Sequence, residues 1–357
     1  MARFTRRELL RGLGTAGLGF LLTGCMPRLE SKVQSTSTVG PTASQPIRTS
    51  AAPSTEIMPT STASVGPSSP ETTSSPRLVH REPTPVPAGR AYLAVVRGAS
   101  PEEITRRAIA AIGGIERFVK KGDNVIIKPN ICNANYGPEY ASTTNPQVVA
   151  ELVRLCVGAG AKRVRVMDFP FSGSAQAAYA RSGIGEAVKA AGGVMEVMSP
   201  AKFVKVRIPE GVDLKEWSFY RPVLEADVLI DVPIAKDHGL ARLTLAAKNL
   251  MGVIQNRPQL HRNLGQRIAD ITSLVRPQLT VVDAVRILVQ NGPTGGSLDY
   301  VRRANTIIAS HDIVAADAYA TGLFGLKPQD IAYIVAGARM GLGTMDLASV
   351  KVVELSI

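Results

Sequence analysis

Apolar positions follow two rhythms along this chain. Short runs rich in β-branched residues alternate with longer stretches of helical period. AYLAVVRG (91–98), NVIIKPN (124–130), KRVRVMDF (162–169) and GVMEVMS (193–199) predict strands. Between them, PEEITRRAIAAIGGIERFV (101–119), NPQVVAELVRLCVGAGA (145–161) and AYARSGIGEAVKAAGG (178–193) predict helices, with Pro at their starts or Gly at their ends. This β-α-β-α-β order predicts an α/β fold, a mostly parallel sheet with helices on both faces.

The second half is less regular. FVKVRI (203–208), ADVLIDVPI (226–234), LTVVDAV (279–285), NTIIASH (305–311) and VKVVELS (350–356) predict further strands. LARLTLAAKNLMGVI (240–254), NLGQRIADITSLV (263–275), DIVAADAYATGLFG (312–325) and PQDIAYIVAGARMG (328–341) predict helices. No internal repeat, no strand followed by G-x-G-x-x-G and no P-loop occurs. The glycines of ARMGLGTMD (338–346) follow a helix and predict a turn.

The first ninety residues show neither rhythm. Residues 1–25 carry Arg6 and Arg7 in TRRELLR, then a Gly/Ala/Leu-rich run ending in LTGC at Cys25. The run is short for a membrane span and has the layout of an export signal. It resembles a twin-arginine signal joined to a lipoprotein cleavage box. That implies handling by the twin-arginine export machinery and a membrane lipid anchor on Cys25, placing the chain at the outer face of the cytoplasmic membrane. Residues 26–90 are dominated by Ser, Thr and Pro, with too little apolar surface to offset ordering entropy. They predict a disordered, partly extended stalk. Residues 91–357 suffice for one large α/β domain or two joined lobes.

Charge narrows the function. The chain carries +12, and ten basic against five acidic residues in 1–90 leave +7 for the rest. No basic stripe stands out and aromatics make up 5%, which argues against nucleic acid and for an anionic surface or ligand. Beyond Cys25 only Cys132 and Cys156 remain, so the chain cannot supply a four-cysteine iron–sulfur cluster. Cys156 sits in a helical pattern as a small core residue, and a disulfide to Cys132 is left open.

Candidate chemistry gathers after the strands, where open parallel sheets collect ligands. Lys128 and Asn130 end VIIKPN, Asp168 ends VRVMD, Lys236 and His238 follow VLIDVPI, Asp283 ends LTVVD, and His311 and Asp312 follow NTIIAS. Asp312 also fits a helix N-cap. PIAKDHGLARLTLAAKNLMG (233–252) is the sharpest case, because it sets charges in a largely apolar stretch. Thr244 and Lys248 share one face of the expected helix, and Leu245 and Asn249 the next. A lysine in an apolar wall either pairs with a carboxylate, here Asp237, Asp283 or Asp317, or has a depressed pKa.

VIIKPN, TTNP (143–146), KDHGLARLTLAAKNLMGVI, LTVVDAV and DIVAADAYATGLFG, in this order, resemble the domain of unknown function 362 family over nearly all of 91–357. The family's recurring positions match Lys128, Asn130, Thr143, Lys236, His238, Thr244, Lys248, Asn249, Asp283 and Asp317. Some members carry an appended ferredoxin-like module, absent here, and the resemblance implies no established reaction. Two functions remain. One is an enzyme acting on an anionic small molecule, with Lys128, Lys236 and Lys248 as cationic clamps and His238 as general acid/base. Lys248 and Lys236 join His238 as the catalytic candidates. Lys128, Asn130, Thr143, Thr244, Asn249, Asp283 and Asp317 are the ligand-binding candidates. The other is a membrane-tethered ligand-binding or assembly protein. A divalent ion held by His238, His311, Asp168 and Asp283 is a third option, though their spacing has no diagnostic pattern.

Overall fold

The structure, a computed structural model, describes residues 88–357. Residues 1–87, on which the expected export signal, Cys25 and nearly all of the expected stalk fall, lie outside the described residues.

The chain opens with β1 (Leu93–Arg97), α1 (Pro101–Ala111), β2 (Asn124–Pro129), α2 (Pro146–Gly158) and β3 (Arg163–Val166). It continues through α3 (Ala175–Ser182), α4 (Ile184–Ala190) and β4 (Val194–Met195), then β5 (Phe203–Arg207), β6 (Glu216–Tyr220) and α5 (Arg221–Leu224). Next come β7 (Val228–Val232), β8 (Ile234–His238), β9 (Arg242–Thr244), α6 (Ala246–Asn249) and α7 (Leu264–Val275). β10 (Leu279–Leu288), β11 (Val301–Ser310), α8 (Ile313–Thr321), α9 (Ala332–Arg339) and β12 (Val352–Ser356) close the chain.

Ten strands form one sheet in the order β12-β1-β11-β10-β7-β2-β3-β4, with β8 and β9 added at β10. Most pairings are parallel. β11 runs antiparallel to both β1 and β10, and β9 to β8. β5 and β6 form a separate antiparallel ribbon. Side chains alternate between two cores. Leu93, Val95 and Ile126 pack with α7, α8 and α9, whereas Ala94, Val96, Val125 and Ile127 pack with α1, α2 and α4. Helices therefore cover both faces, and the described residues belong to one compact unit rather than to two lobes. Among them, no helix is long and apolar enough to cross a membrane.

Local signals set the helix starts. Ser100 caps α1 by accepting the Glu103 N–H at 3.2 Å, with Pro101 next. Asn145 caps α2 through the Gln147 N–H at 2.9 Å, and Asp312 caps α8 through the Ala315 N–H at 2.9 Å. α1 is shorter than expected. It stops at Ala111 because Gly113 and Gly114 take φ of 112° and 85°, and only a 3-10 turn follows at Ile115–Arg117.

The largest departure from expectation is 240–254, which is not one helix. Arg242–Thr244 pairs with β8, Ala246–Asn249 makes a single helical turn, and Leu250–Val253 is a 3-10 turn. The cause lies far away in sequence. The Asp317 carboxylate accepts the Ala246 and Ala247 N–H groups at 2.7 and 2.9 Å, which fixes the helix start and leaves 242–244 free to pair. β8 is equally unexpected. Beyond Pro233 the chain stays extended, so Lys236 and His238 lie within a strand rather than after one.

Candidate functional site

The order of strands reverses between β7 and β2. From β2 the chain steps outward to β3 and β4, and from β7 it steps the other way to β10. Such a reversal opens a crevice at the carboxyl ends of the two strands. Lys128 of β2 stands in register with Asp231 of β7 at that point. Above them lies a cavity of about 430 Å³. Lys128, Asn130, Lys236, His238, Thr244, Lys248 and Asn249 all line it, together with Cys132, Asp168, Arg257 and His261. Its apolar wall comes from Phe169, Phe171, Met251, Pro258 and Pro293.

Its floor is a hydrogen-bond network in which Asp231 Oδ2 alone is left buried without a partner among the described residues. Lys128 Nζ lies 2.7 Å from Asp168 Oδ1 and donates to Pro129 O at 2.8 Å and Asn249 Oδ1 at 2.9 Å. Asn249 Nδ2 donates to Asp231 Oδ1 at 2.8 Å, and Asn130 Nδ2 donates to Asn249 Oδ1 at 2.9 Å. Lys236 Nζ donates to Asn130 Oδ1 at 3.0 Å and to Ser142 O at 2.7 Å. A methyl carbon on Gly252 would stand 2.1 Å from Asp168 Oδ1 and 2.6 Å from Lys128 Nζ. Only glycine lets the chain pass this close to the ion pair.

Burial controls the electrostatics. It raises Asp231 well above the usual carboxylate range, against the pull of Lys128. It lowers Lys236, where contact with Cys132 acts in the opposite sense. Burial, reinforced by the charges of Lys248 and Lys236, pushes the His238 imidazole down to about 3. His238 Nδ1 accepts the Leu240 and Ala241 N–H groups at 3.1 and 3.3 Å. The network therefore places the proton of the neutral ring on Nε2. His238 is thus a neutral hydrogen-bond donor near pH 7, which does not suit the acid/base role expected of it.

Lys248 is the exception among the lysines. It is 9% exposed, yet among the described residues its only side-chain hydrogen-bond contact is a weak one to Met251 Sδ at 3.6 Å. None of Asp237, Asp283 and Asp317 pairs with it. Burial, with the charge of Lys236 beside it, lowers its ammonium to about 7. Of the two outcomes open to a lysine in an apolar wall, the structure takes the depressed pKa. Thr244 ends β9 and Lys248 sits on α6, so they do not share the helix face expected of them, but the Thr244 hydroxyl lines the same cavity, buried with no hydrogen-bond partner. β8–β9 pairing sets Thr244 directly opposite Lys236.

Three ligand-binding candidates lie elsewhere. Thr143 Oγ1 accepts the Cys132 N–H at 3.2 Å. Asp283 accepts the Asn145 and Val285 N–H groups at 2.7 and 2.9 Å, tying the start of α2 to β10. Asp317 holds the start of α6, as above. These residues shape the walls without lining the cavity, because backbone N–H groups occupy their oxygens. The possible metal ligands do not converge either. His311 packs edge-on against Tyr92, with ring centroids 4.4 Å apart, and no cluster of three His, Cys, Asp or Glu able to hold a metal occurs among the described residues. Cys132 and Cys156 are both free and buried.

Two residues of the cavity, Arg257 and His261, escaped sequence reading. Arg257 stacks over Phe169 at 4.9 Å and donates to Pro170 O at 2.8 Å, and His261 lines the same cavity as His238. Both lie in the 3-10 segment Arg257–Asn263, whose sequence has no apolar period to mark it.

The family model for a domain of unknown function, DUF362, matches residues 125–322. The chain belongs to the DUF362 family. Both sides of the DUF362 crevice, from β2 to α8, fall inside the match. A thylakoid-associated protein of Synechocystis sp. is 27% identical over 252 residues, covering 66% of this chain and 74% of that protein. Among solved structures, the lactate racemase apoprotein of Thermoanaerobacterium thermosaccharolyticum matches with a TM-score of 0.40 at 13% identity, over 64% of this chain and 56% of that one. A Thermotoga maritima protein matches with a TM-score of 0.36 at 10% identity, over 64% and 60%. The matched region thus spans less than two thirds of either solved chain.

Proposed function

We propose that this DUF362 protein is an enzyme acting on an anionic small molecule, with Lys248 as its reactive group. One observation carries the reading. Lys248 is a buried lysine without a carboxylate or carbonyl partner among the described residues, and it lines a cavity that an unpartnered hydroxyl also lines. A lysine near neutrality can give or take a proton at physiological pH. Lys236 and Arg257 supply positive charge around it, and the apolar wall excludes water, which strengthens their hold on an anion. His238 contributes a fixed donor.

The direct test incubates the protein with a mixture of small carboxylic and phosphorylated acids and follows each by mass spectrometry. One acid should be consumed by the wild type and spared by Lys248→Met. If acids raise the melting temperature and none is consumed, the protein is a binder and the enzyme reading fails. A tethered ligand-binding or assembly role is the second reading. It draws on the twin arginines and Cys25 of residues 1–25, which support export and a lipid anchor at the outer face of the cytoplasmic membrane. The Synechocystis relative is a thylakoid-associated protein, which agrees with attachment to a membrane.

A further inference from the structure

We propose that Lys248 captures its substrate covalently, as an imine with the carbonyl carbon of a 2-oxo acid bearing an apolar tail. The inference rests on the anionic-substrate reading above and names the substrate class.

The contrast among three buried lysines carries it. Lys128 is locked by Asp168, Pro129 O and Asn249 Oδ1, and Lys236 by Asn130 Oδ1 and Ser142 O. Neither can turn a lone pair towards a ligand without breaking strong buried contacts. Among the described residues, Lys248 Nζ hydrogen-bonds only to the Met251 sulfur, a weak acceptor, so its amine is free to attack. The charged and titratable groups around it are Lys236, Arg257, Cys132 and His238. No carboxylate is hydrogen-bonded to Lys248 to hold the ammonium, and burial keeps a substantial neutral fraction near pH 7. A lysine desolvated in an apolar pocket beside another cation is the recurrent setting of imine-forming catalysis.

The rest of the cavity fits such an acid. Arg257 offers positive charge for the carboxylate adjoining the carbonyl. The Thr244 hydroxyl, 3% exposed and without a partner, stands ready for the oxygen that develops on attack. Phe169 and Met251 receive the tail.

The chemistry balances without a further reagent. The Nζ lone pair attacks the carbonyl carbon, and the new C–N bond displaces the π electrons onto oxygen, which takes up a proton. The carbinolamine then loses water, made of the carbonyl oxygen and the two hydrogens of the amine, and the C=N bond forms. Nothing is oxidised or reduced.

The test incubates the full-length protein with 2-oxohexanoate and sodium cyanoborohydride, which reduces the imine to a stable secondary amine. Peptide mapping should find one adduct, on Lys248, at least about tenfold above any other lysine, as expected of the one desolvated amine. Hexanoate, which lacks the carbonyl, should suppress it by competition in the wild type, and Lys248→Arg should abolish it. An adduct spread over surface lysines overturns the proposal. So does no adduct while hexanoate still raises the melting temperature, and that result leaves the anion cavity standing. If neither acid raises the melting temperature and no adduct forms, both readings fall.

Discussion

Lys248 is costly to the fold, and the cost has a definite pH dependence. Its pKa falls from the ordinary 10.5 to about 7 on folding. Below pH 7 both the folded and the unfolded chain carry the proton, and the folded chain bears the full penalty of a buried ammonium. Between about 7 and 10.5 the unfolded chain keeps a proton that the folded one has released. The unfolded state then binds more protons, so stability rises with pH across that window. Lys248→Met removes the penalty while keeping most of the side-chain volume. It should stabilise the protein by roughly 2–4 kcal/mol near pH 6, and progressively less towards pH 10. Urea denaturation at the two pH values measures the difference. Equal destabilisation at both would mean that the ammonium is paired in solution and the cavity is not as the structure has it. A residue that weakens its own fold while facing an apolar cavity is the kind of local inconsistency that function sustains.

At the scale of elements, the single turn of α6 decides the site's geometry, because it carries both Lys248 and Asn249. That turn has no periodic pattern of its own, and it begins where the buried Asp317 accepts two N–H groups. Asp317→Ala leaves those donors buried and unsatisfied. It should cost roughly 2–4 kcal/mol and weaken anion binding along with stability, as read by urea denaturation and ligand-induced melting shifts. A loss below about 0.5 kcal/mol would show that the turn holds without its cap. The same dependence explains what was readable in the chain. α1, α2 and α8 announce themselves through Ser100-Pro101, Asn145-Pro146 and Asp312, since caps are local chemistry. The β7 and β10 strands are legible as buried apolar runs. The stretch 240–254 is apolar almost throughout, so a strand, a turn and a 3-10 segment look like one helix until Asp317 is placed beside them. The sequence marks Lys128 and Asn130 at a strand end and Lys236, His238, Thr244, Lys248 and Asn249 as polar residues in the largely apolar stretch 233–252, and all seven line one cavity. The sequence could not tell them from Thr143, Asp283 and Asp317, because a buried polar residue that binds backbone N–H groups looks the same in sequence as one that faces a ligand. Arg257 and His261 had no strand end or helical period to mark them.

For the whole molecule, the same charge balance that suits an anionic ligand suits an anionic membrane. The chain carries +12 in all, of which residues 91–357 hold +7. Electrostatic attraction of this kind is screened within about 10 Å at 0.1 M salt, so alone it gives reversible association. Acyl chains on Cys25 would add a hydrophobic term that salt does not remove, and two weak signals together make a stable anchor. The two contributions separate cleanly. The wild type, expressed in its own host, should incorporate labelled palmitate and stay with membranes through a high-salt wash. Cys25→Ser should lose the label and come off the membranes in high salt, yet still bind anionic vesicles at low salt. Its cavity should keep the anion-induced melting shift, because every residue lining it falls between Lys128 and Pro293. Retention of the Cys25→Ser protein on membranes after the wash would sink the lipid-anchor reading and move the attachment onto the globular part itself.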